Sequence, residues 1–455
     1  MGIFKNKDTH GDTAAVEPAG AAANALFATL CASCVVLALL STALNTALPA
    51  MSAGLGVQPQ TAQWLVSGYA LALAICMPVT GYLASRFASR PLYLLALAVF
   101  TLSSFACALA GNFALVMVAR VLQAAANALV SNLTQVTILA TFPKGQRGTR
   151  MGWFGLSVGV APVVAPALGG LVVDTLTWRA LFGIIGAAGV LCLIAASAFI
   201  RNTLPTSAKH FDVASFGLSV LVFGGFTVGL GQLPTQGLAS AAFLAPLLCG
   251  ALAAAVFAPR QLCAQEPFLN LQLLKLPRFR HSVVASAALY AAMMGGAAAL
   301  PVHLQQGLGC SAWVAGAAVL PAALLMALVN PLAGKLFDRA GMRRLAVFGG
   351  LLLLAGNALM CVSSLSGNVL AAAVLAAVRY VGIGLMQMPL VTWGNACVRQ
   401  EDMPQATALL TSFRNVAGAL GVAVFVGVLD TAGVAASFAG MAAASLLVFA
   451  AALKE

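Results

Sequence analysis

Charge is scarce in this chain. Of 455 residues only 7% are Asp, Glu, Lys or Arg, with 11 acids and 4 histidines in all. Soluble domains run near a quarter charged. A water-soluble fold of this length cannot cover its surface with so few charges, so soluble, disordered and fibrous classes are excluded. Basic runs interleaved with aromatics are also missing. Nucleic acid is therefore not an expected partner, despite a net charge of +12. The ten cysteines are scattered. Cys31 and Cys34 form a C-x-x-C inside an apolar stretch without a second ligand pair, so neither a metal site nor a disulfide is implied. No G-x-x-x-x-G-K-[ST] loop occurs, so ATP hydrolysis by this chain is not expected. No nucleophile–base pair and no soluble sensor domain stands out, which leaves a membrane enzyme or a non-transporting receptor with little support.

What is present is apolar sequence, 61% of the chain, in long runs rich in Ala, Leu and Val. One helical crossing needs about 20 such residues, which sets a ceiling of about fourteen crossings. A transmembrane barrel would instead show alternating segments of about 10 residues. An all-α polytopic membrane protein is expected. Its fourteen predicted spans are 23–48, 61–84, 91–110, 113–139, 151–173, 179–200, 212–232, 240–259, 281–304, 312–334, 344–363, 368–395, 405–429 and 433–453. The first run is too long for a signal-peptide core and reads as a retained span.

The basic residues sort by side. Nineteen Lys and Arg fall in the N-terminal tail and every second loop after it, from Lys5 and Lys7 through Arg339 and Arg343 to Lys454. The intervening loops hold Arg179 alone. Cytoplasmic loops carry the excess of Lys and Arg, so both termini are expected in the cytoplasm. The chain also repeats weakly. Gly81-Tyr82-Leu83-Ala84-Ser85-Arg86 closes the second span, and Gly334-Lys335-Leu336-Phe337-Asp338-Arg339 closes the tenth. Arg120 and Arg379 sit in the fourth and twelfth spans at a similar offset. The repeat gives a cytoplasmic tail over 1–22, a six-helix bundle over 23–200, two linker spans and a loop over 201–280, and a second six-helix bundle over 281–455. Internal repeats in a polytopic protein point to a secondary transporter.

At these residues the sequence resembles the major facilitator superfamily, and within it the fourteen-span drug:proton antiporters of bacteria. The loop signature G-x-L-x-D-R-x-G-R-[KR] is matched by Gly334, Leu336, Asp338, Arg339, Gly341, Arg343 and Arg344. In the first half it is degraded, with Ser85 in place of the acid and Ala88 in place of the second glycine. The span-four R-x-x-Q-G becomes Arg120-Val121-Leu122-Gln123-Ala124. The span-five exporter signature survives as Ala161, Ala165-Pro166 and Gly169-Gly170. Trp64, Tyr69 and the Trp178-Arg179 pair also match. The resemblance implies the facilitator fold, a bacterial inner-membrane location, multidrug export by alternating access, and the proton gradient as energy source with no cofactor. One position departs. The first-span acid of the family is Leu40 here.

All eleven acids lie in tails, loops or span ends, whereas Arg120, Arg379 and Arg414 lie within spans. Arginine at membrane depth faces a partner or a wet cavity. Arg120, Gln123, Asn127, Ser131 and Gln135 form one polar stripe, which is expected to face a central cavity. Asn45, Trp64, Arg120, Gln123, Asn127, Arg379, Gln387 and Arg414 are the candidate substrate residues. For the arginines, helix packing through backbone carbonyls is the competing role. His303, near the end of span nine, is a lip residue or a proton carrier. Arg86, Arg90, Gly334, Asp338, Arg339 and Arg343 are candidates for a latch that breaks when the halves rock, with simple positive-inside anchoring as the alternative. Pro162 and Pro166, with Gly155, Gly159, Gly169 and Gly170, are candidates for a bent, close-packed gating helix at the interface of the halves, with plain packing as the alternative. The expected partners are a small-molecule substrate and the lipid bilayer. A monomer is the simplest arrangement, and a periplasmic adaptor is left open. The substrate is an amphipathic compound or, since the spans hold Arg and no acid, a neutral or anionic metabolite.

Overall fold

The computed structural model describes residues 20–206, 211–237, 239–363 and 368–453. The tail 1–19 with Lys5 and Lys7, Lys209, and Lys454 lie outside the described residues. Every described element is helical. The order is α1 Gly20–Leu55, a short α2 Pro59–Ala62, α3 Trp64–Arg86, α4 Ser89–Leu109, α5 Phe113–Thr141, α6 Arg147–Thr175, α7 Trp178–Phe199, α8 Val213–Gln236, α9 Ala241–Cys263, α10 Pro277–Val302, α11 Ala312–Ser363, α12 Val369–Ala396 and α13 Met403–Leu453. Polar caps start several of them. The side chains of Asn112, Thr177, Asp212, Ser240 and Asn368 each accept an N–H of the first turn, which satisfies donors the helix cannot.

Among the described residues, twelve helices are long and apolar enough to cross a membrane. The sequence predicts fourteen, and the difference lies in α11 and α13, of 52 and 51 residues. At 1.5 Å per residue each would run about 75 Å if straight, far beyond a hydrocarbon core of about 30 Å. Each is folded over at one glycine, Gly341 (φ 75°, ψ 178°) and Gly433 (φ 83°, ψ 176°). That backbone region is essentially closed to other residues and costs about 1–3 kcal/mol to occupy. It explains the second glycine of the loop signature: the chain reverses on it. In the first half the reversal between α3 and α4 uses Ala88 at φ −57° and ψ 134°, so no glycine is required there. Gly341→Ala and Gly433→Ala should therefore each lower stability by about 1–3 kcal/mol. A Cβ at either position meets no atom within 4 Å, so the loss is conformational, and thermal unfolding in detergent measures it. An unshifted transition at both sites contradicts the assignment.

The first half packs α1, α3, α4, α5, α6 and α7 around one core in which Leu30, Leu37, Leu40 and Leu44 of α1 meet Tyr93, Phe100, Leu133 and Phe182. α10 to α13 form the second half, with cores around Leu300, Tyr380 and Phe438 and around Ile383, Met386 and Trp393. α8 and α9 stand between, closely paired where a Cβ on Gly225 would meet Pro246 O at 2.6 Å. Their basic-loop end is pinned by Asp212, which binds Arg260 at 3.0 Å and accepts the Ser215 hydroxyl at 2.6 Å. Desolvation alone would raise the Asp212 carboxyl. The Ser215 and Arg260 donors outweigh it and hold the group below the usual carboxylate range. Tyr82, Phe211, Phe216 and Phe268 stack over the same end.

Candidate functional site: an inter-half seam and two buried arginines

Glycine spacing on α6 shapes the first feature. Gly148, Gly152, Gly155 and Gly159 recur every three or four residues and so share one helix face. That face lies on the first arm of α11. A Cβ on Gly148 would meet Gly334 O at 2.6 Å and Asp338 Oδ1 at 2.7 Å. One on Gly152 would collide with Asn330 O, and one on Gly159 would touch the Ala327 Cβ at 3.3 Å. Gly334 answers from α11, with no room for a Cβ against Gly148 O. Two backbones approach this closely only where side chains are missing. Asn330 is fully buried in the seam, and its Oδ1 has no hydrogen-bond partner.

The seam ends in a latch. The Asp338 carboxylate accepts the N–H of Gly148 at 2.8 Å, the N–H of Thr149 at 2.7 Å and the Thr149 hydroxyl at 2.7 Å. These amides are the open donors of the first turn of α6. Asp338 thus caps, from the second half, a helix of the first. Hydrogen bonds to a charged acceptor are the strong class, and a helix N-terminus favours an anion. Asp338 meets a helix end rather than a basic side chain. Arg339 and Arg343 are exposed beside it.

The repeat places a second seam opposite. A Cβ on Gly81 of α3 would meet Ala408 Cβ at 2.9 Å and Pro404 O at 3.3 Å at the start of α13. Asn132 of α5 donates to Thr80 Oγ1 at 2.6 Å and to Pro404 O at 3.5 Å. Ser85, at the acid's position, donates to Gly81 O in its own helix. This seam carries no charge from α3. Arg90 is tied within the first half, to Asn202 and to Ser197 O, and Arg86 is exposed beside Phe87. Both seams lie toward the basic-loop end.

Each half also holds one fully buried arginine. Arg120 donates to Leu65 O at 3.1 Å and to Gln123 Oε1 at 2.8 Å, and lies 4.0 Å over the Tyr69 ring. Gln123 passes the network to Ser104 of α4 at 3.1 Å. Arg379 donates to Asn357 Oδ1 at 2.8 Å and to Ala292 O, and Asn357 donates to Ser445 at 2.9 Å. In each guanidinium one terminal nitrogen has no partner. Room for Arg379 comes from Gly296, whose Cβ would overlap the guanidinium. Carbonyls, amides and an aromatic face stand where a carboxylate would be expected.

This arrangement corrects the stripe expected to face a cavity. Arg120 and Gln123 are 1% and 0% exposed and turn toward α3 and α4. Arg379 is 0% exposed. Their hydrogen bonds are satisfied best between helices, and that decides their direction. Asn127 and Ser131, further along, are half-buried; Asn127 donates to the Tyr69 hydroxyl at 2.6 Å. Arg414 is 9% exposed and lies 4.5 Å over Tyr290. Gln387 is half-buried, and Asn45 and Trp64 are exposed. Leu40 is fully buried in the core of the first half. His303 is buried in a π-helical turn, His303–Gly307, at the end of α10.

The span-five signature divides. Gly169 packs on α1, with Thr46 Oγ1 at 2.8 Å from a Cβ placed there, while Gly170 faces open space. Pro162 and Pro166 are exposed within a continuous helix. The surface of α6 that meets the second half is therefore Gly148 to Gly159, which takes in the expected Gly155 and Gly159 but not Pro162, Pro166, Gly169 or Gly170. Sequence reasoning missed Thr149, Asn330 and Asn357. The four-residue glycine spacing was the available signal for the first two; nothing local marks Asn357.

Comparison with known proteins matches this architecture. A family model described as Major Facilitator Superfamily covers residues 30–422. The lincomycin resistance protein LmrB of Bacillus subtilis is 32% identical over 390 residues, which are 85% of this chain and 81% of that protein. The uncharacterized MFS-type transporter YcnB of the same organism is 31% identical over 401 residues, 88% of this chain and 85% of that one. Among solved structures, the proton:xylose symporter XylE superposes with a TM-score of 0.66 at 12% identity, covering 94% of this chain and 95% of that one.

Proposed function

The chain belongs to the major facilitator superfamily, and on that premise we propose that it is a secondary exporter of small amphipathic compounds, of the multidrug type, in a bacterial cytoplasmic membrane. The observation that carries the reading is where the halves meet. The described hydrogen bonds and tight glycine contacts that join one half directly to the other lie toward the basic-loop end, from Gly159–Ala327 to Asp338–Thr149. With basic loops inside, this is a state closed to the cytoplasm. α11 and α13 each cross twice, giving fourteen crossings with both termini inside. Rocking about the two seams exposes substrate alternately, and a charge–helix contact that forms in one state only is a two-state element. The resistance named for LmrB supports a drug-like substrate.

A second reading is favoured by one observation. Arg120, Arg379 and Arg414 lie within the helices, while Asp212, Asp338, Glu401 and Asp402 lie at helix ends or in loops. Among the described residues no carboxylate lies at depth, Asp174, Glu266 and Asp430 being exposed near helix ends or in a loop, so a neutral or anionic metabolite suits the interior better than a cation. The same absence bears on coupling. The proton gradient remains the proposed energy source, but Leu40 is core and cannot carry the proton.

Counterflow in proteoliposomes tests both readings, with and without an imposed pH gradient. Neutral or anionic amphiphiles should exchange saturably, and permanently cationic dyes should exchange at about a tenth of that rate or less, given the cost of a charge without a counter-charge at membrane depth. Robust, saturable export of dications would overturn the charge argument. Tight binding without flux would overturn transport itself.

A further inference from the structure

At the basic-loop end the first turns of α1, the α5–α6 connection and the first turns of α6 form a half-open cavity of about 350 Å³ lined by Asn24, Thr141, Phe142, Gln146 and Arg150. It is separate from the seam and from the buried arginines. Arg150 is held in place on three sides. One guanidinium nitrogen donates to Asn24 Oδ1 at 2.8 Å, and the group lies 4.5 Å from the Phe142 ring and 5.1 Å from the Phe27 ring. These two rings meet edge to face at 6.0 Å. A guanidinium has five donors, and the described hydrogen bond uses one nitrogen. Thr141 Oγ1, on the same wall, is buried without a partner. Arg147 donates to Phe142 O at 3.0 Å and braces the connection, and Lys144 is exposed on it. Among the described residues no acid lines the cavity. A fixed guanidinium, an idle hydroxyl, an exposed amide side chain and two further cations suit an oxyanion of phosphate type.

We propose that this cavity binds the phosphate-bearing headgroup of an anionic phospholipid from the leaflet at the basic-loop end. The source is argued from depth and size. The cavity lies where helices begin, at the level of the basic loops. Trp153, one turn along α6 from Arg150, is 45% exposed, and exposed tryptophan marks the headgroup level of a bilayer. A volume near 350 Å³ accepts a glycerophosphate and leaves its acyl chains outside. Basic pockets between helices on the cytoplasmic side take anionic headgroups. The site is joined to the Asp338 contact only along the backbone of α6. Thr149, next to Arg150, donates twice to Asp338, so a lipid that holds Arg150 steadies the turn that Asp338 caps. This inference does not depend on which compound is carried.

The test uses purified full-length protein with phosphatidylglycerol, phosphatidylcholine or glycerol 3-phosphate. Native mass spectrometry counts bound lipid, and hydrogen–deuterium exchange follows the peptide containing Gly148 and Thr149. Phosphatidylglycerol should bind at least about tenfold tighter than phosphatidylcholine and slow exchange of those amides. Arg150→Gln should weaken it about tenfold, one charge-assisted contact's worth. Thr141→Val should weaken it about threefold while leaving the Phe27–Arg150–Phe142 stack in place, which separates loss of the site from loss of the fold. Equal affinity for the two lipids, or wild-type affinity in both variants, overturns the proposal. Displacement by glycerol 3-phosphate at matched concentration overturns the membrane source and assigns the site to a soluble phosphate.

Discussion

Gly334→Val should leave a folded, membrane-inserted protein that transports at less than about a tenth of the wild-type rate. Gly334 faces Gly148 O across the seam, and the space for a Cβ is taken by backbone rather than by a movable side chain. Nothing can rotate away, so the halves must separate or a helix must shift. Overpacking of this kind costs about 1–3 kcal/mol within one core. Here the cost falls on one conformer, because the contact joins the halves. A differential of that size changes the ratio of closed to open states about 5- to 150-fold. The variant should accumulate open at the basic-loop end, with faster exchange of the amides of α6 from Gly148 to Gly152. Gly170→Val is the control: a Cβ there meets no atom within 4 Å, and transport should stay near wild type. Equal transport by both variants would remove the seam from the mechanism.

The helices were legible in the sequence because membrane crossings are written in composition. Runs of about 20 apolar residues leave few alternatives, and short polar links such as Asn112 and Thr177 mark the turns. Two of the thirteen expected links do not interrupt the helices, since Gly341 and Gly433 turn the chain within a single residue. Arg120 and Arg379 could be identified as important from their cost at depth. Their direction could not, because 3.6-residue periodicity says which residues share a face but not what that face meets. A polar stripe reads the same whether it lines water or hydrogen-bonds to neighbouring helices. The partners that decide the matter, Leu65 O and Ala292 O, are backbone atoms, and any sequence supplies those. The seam was half visible. Gly334 and Asp338 stand in a recognisable signature, but the receiving turn at Gly148 and Thr149 has no signature of its own. It is an ordinary helix start whose free amides matter only because α11 ends beside them.

Asp338→Asn should weaken the latch without altering its shape, and the asymmetry of the repeat makes this the sharper experiment. The two seams are built alike, Gly81 against Pro404–Ala408 and Gly334 against Gly148, but only the second carries an anion. α13 follows Glu401 and Asp402, which pair with Arg399, so its first turn already has acids nearby. α6 begins at Arg147 with no acid in its first turn and takes one from the other half. Asparagine keeps one acceptor oxygen and presents an NH₂ group to donors. It loses both the charge and at least one of the three bonds. A hydrogen bond to a charged group contributes about 1.5–3 kcal/mol and a neutral one about 0.5–1.5, and a helix N-terminus adds about 0.3–1 for the anion. With partial solvent access at Asp338, the closed state should lose about 1–3 kcal/mol, a shift of about 5- to 150-fold in population. Exchange at the Gly148 and Thr149 amides should accelerate by that factor, and counterflow should slow because the inward-closed state is rarely occupied. The electrostatic origin has its own signature. High salt should move wild type toward the variant, since a partly exposed charge is screened, and should leave Asp338→Asn unchanged. If the amides exchange at the wild-type rate in the variant, Asp338 does not hold α6, and the halves are joined by packing alone.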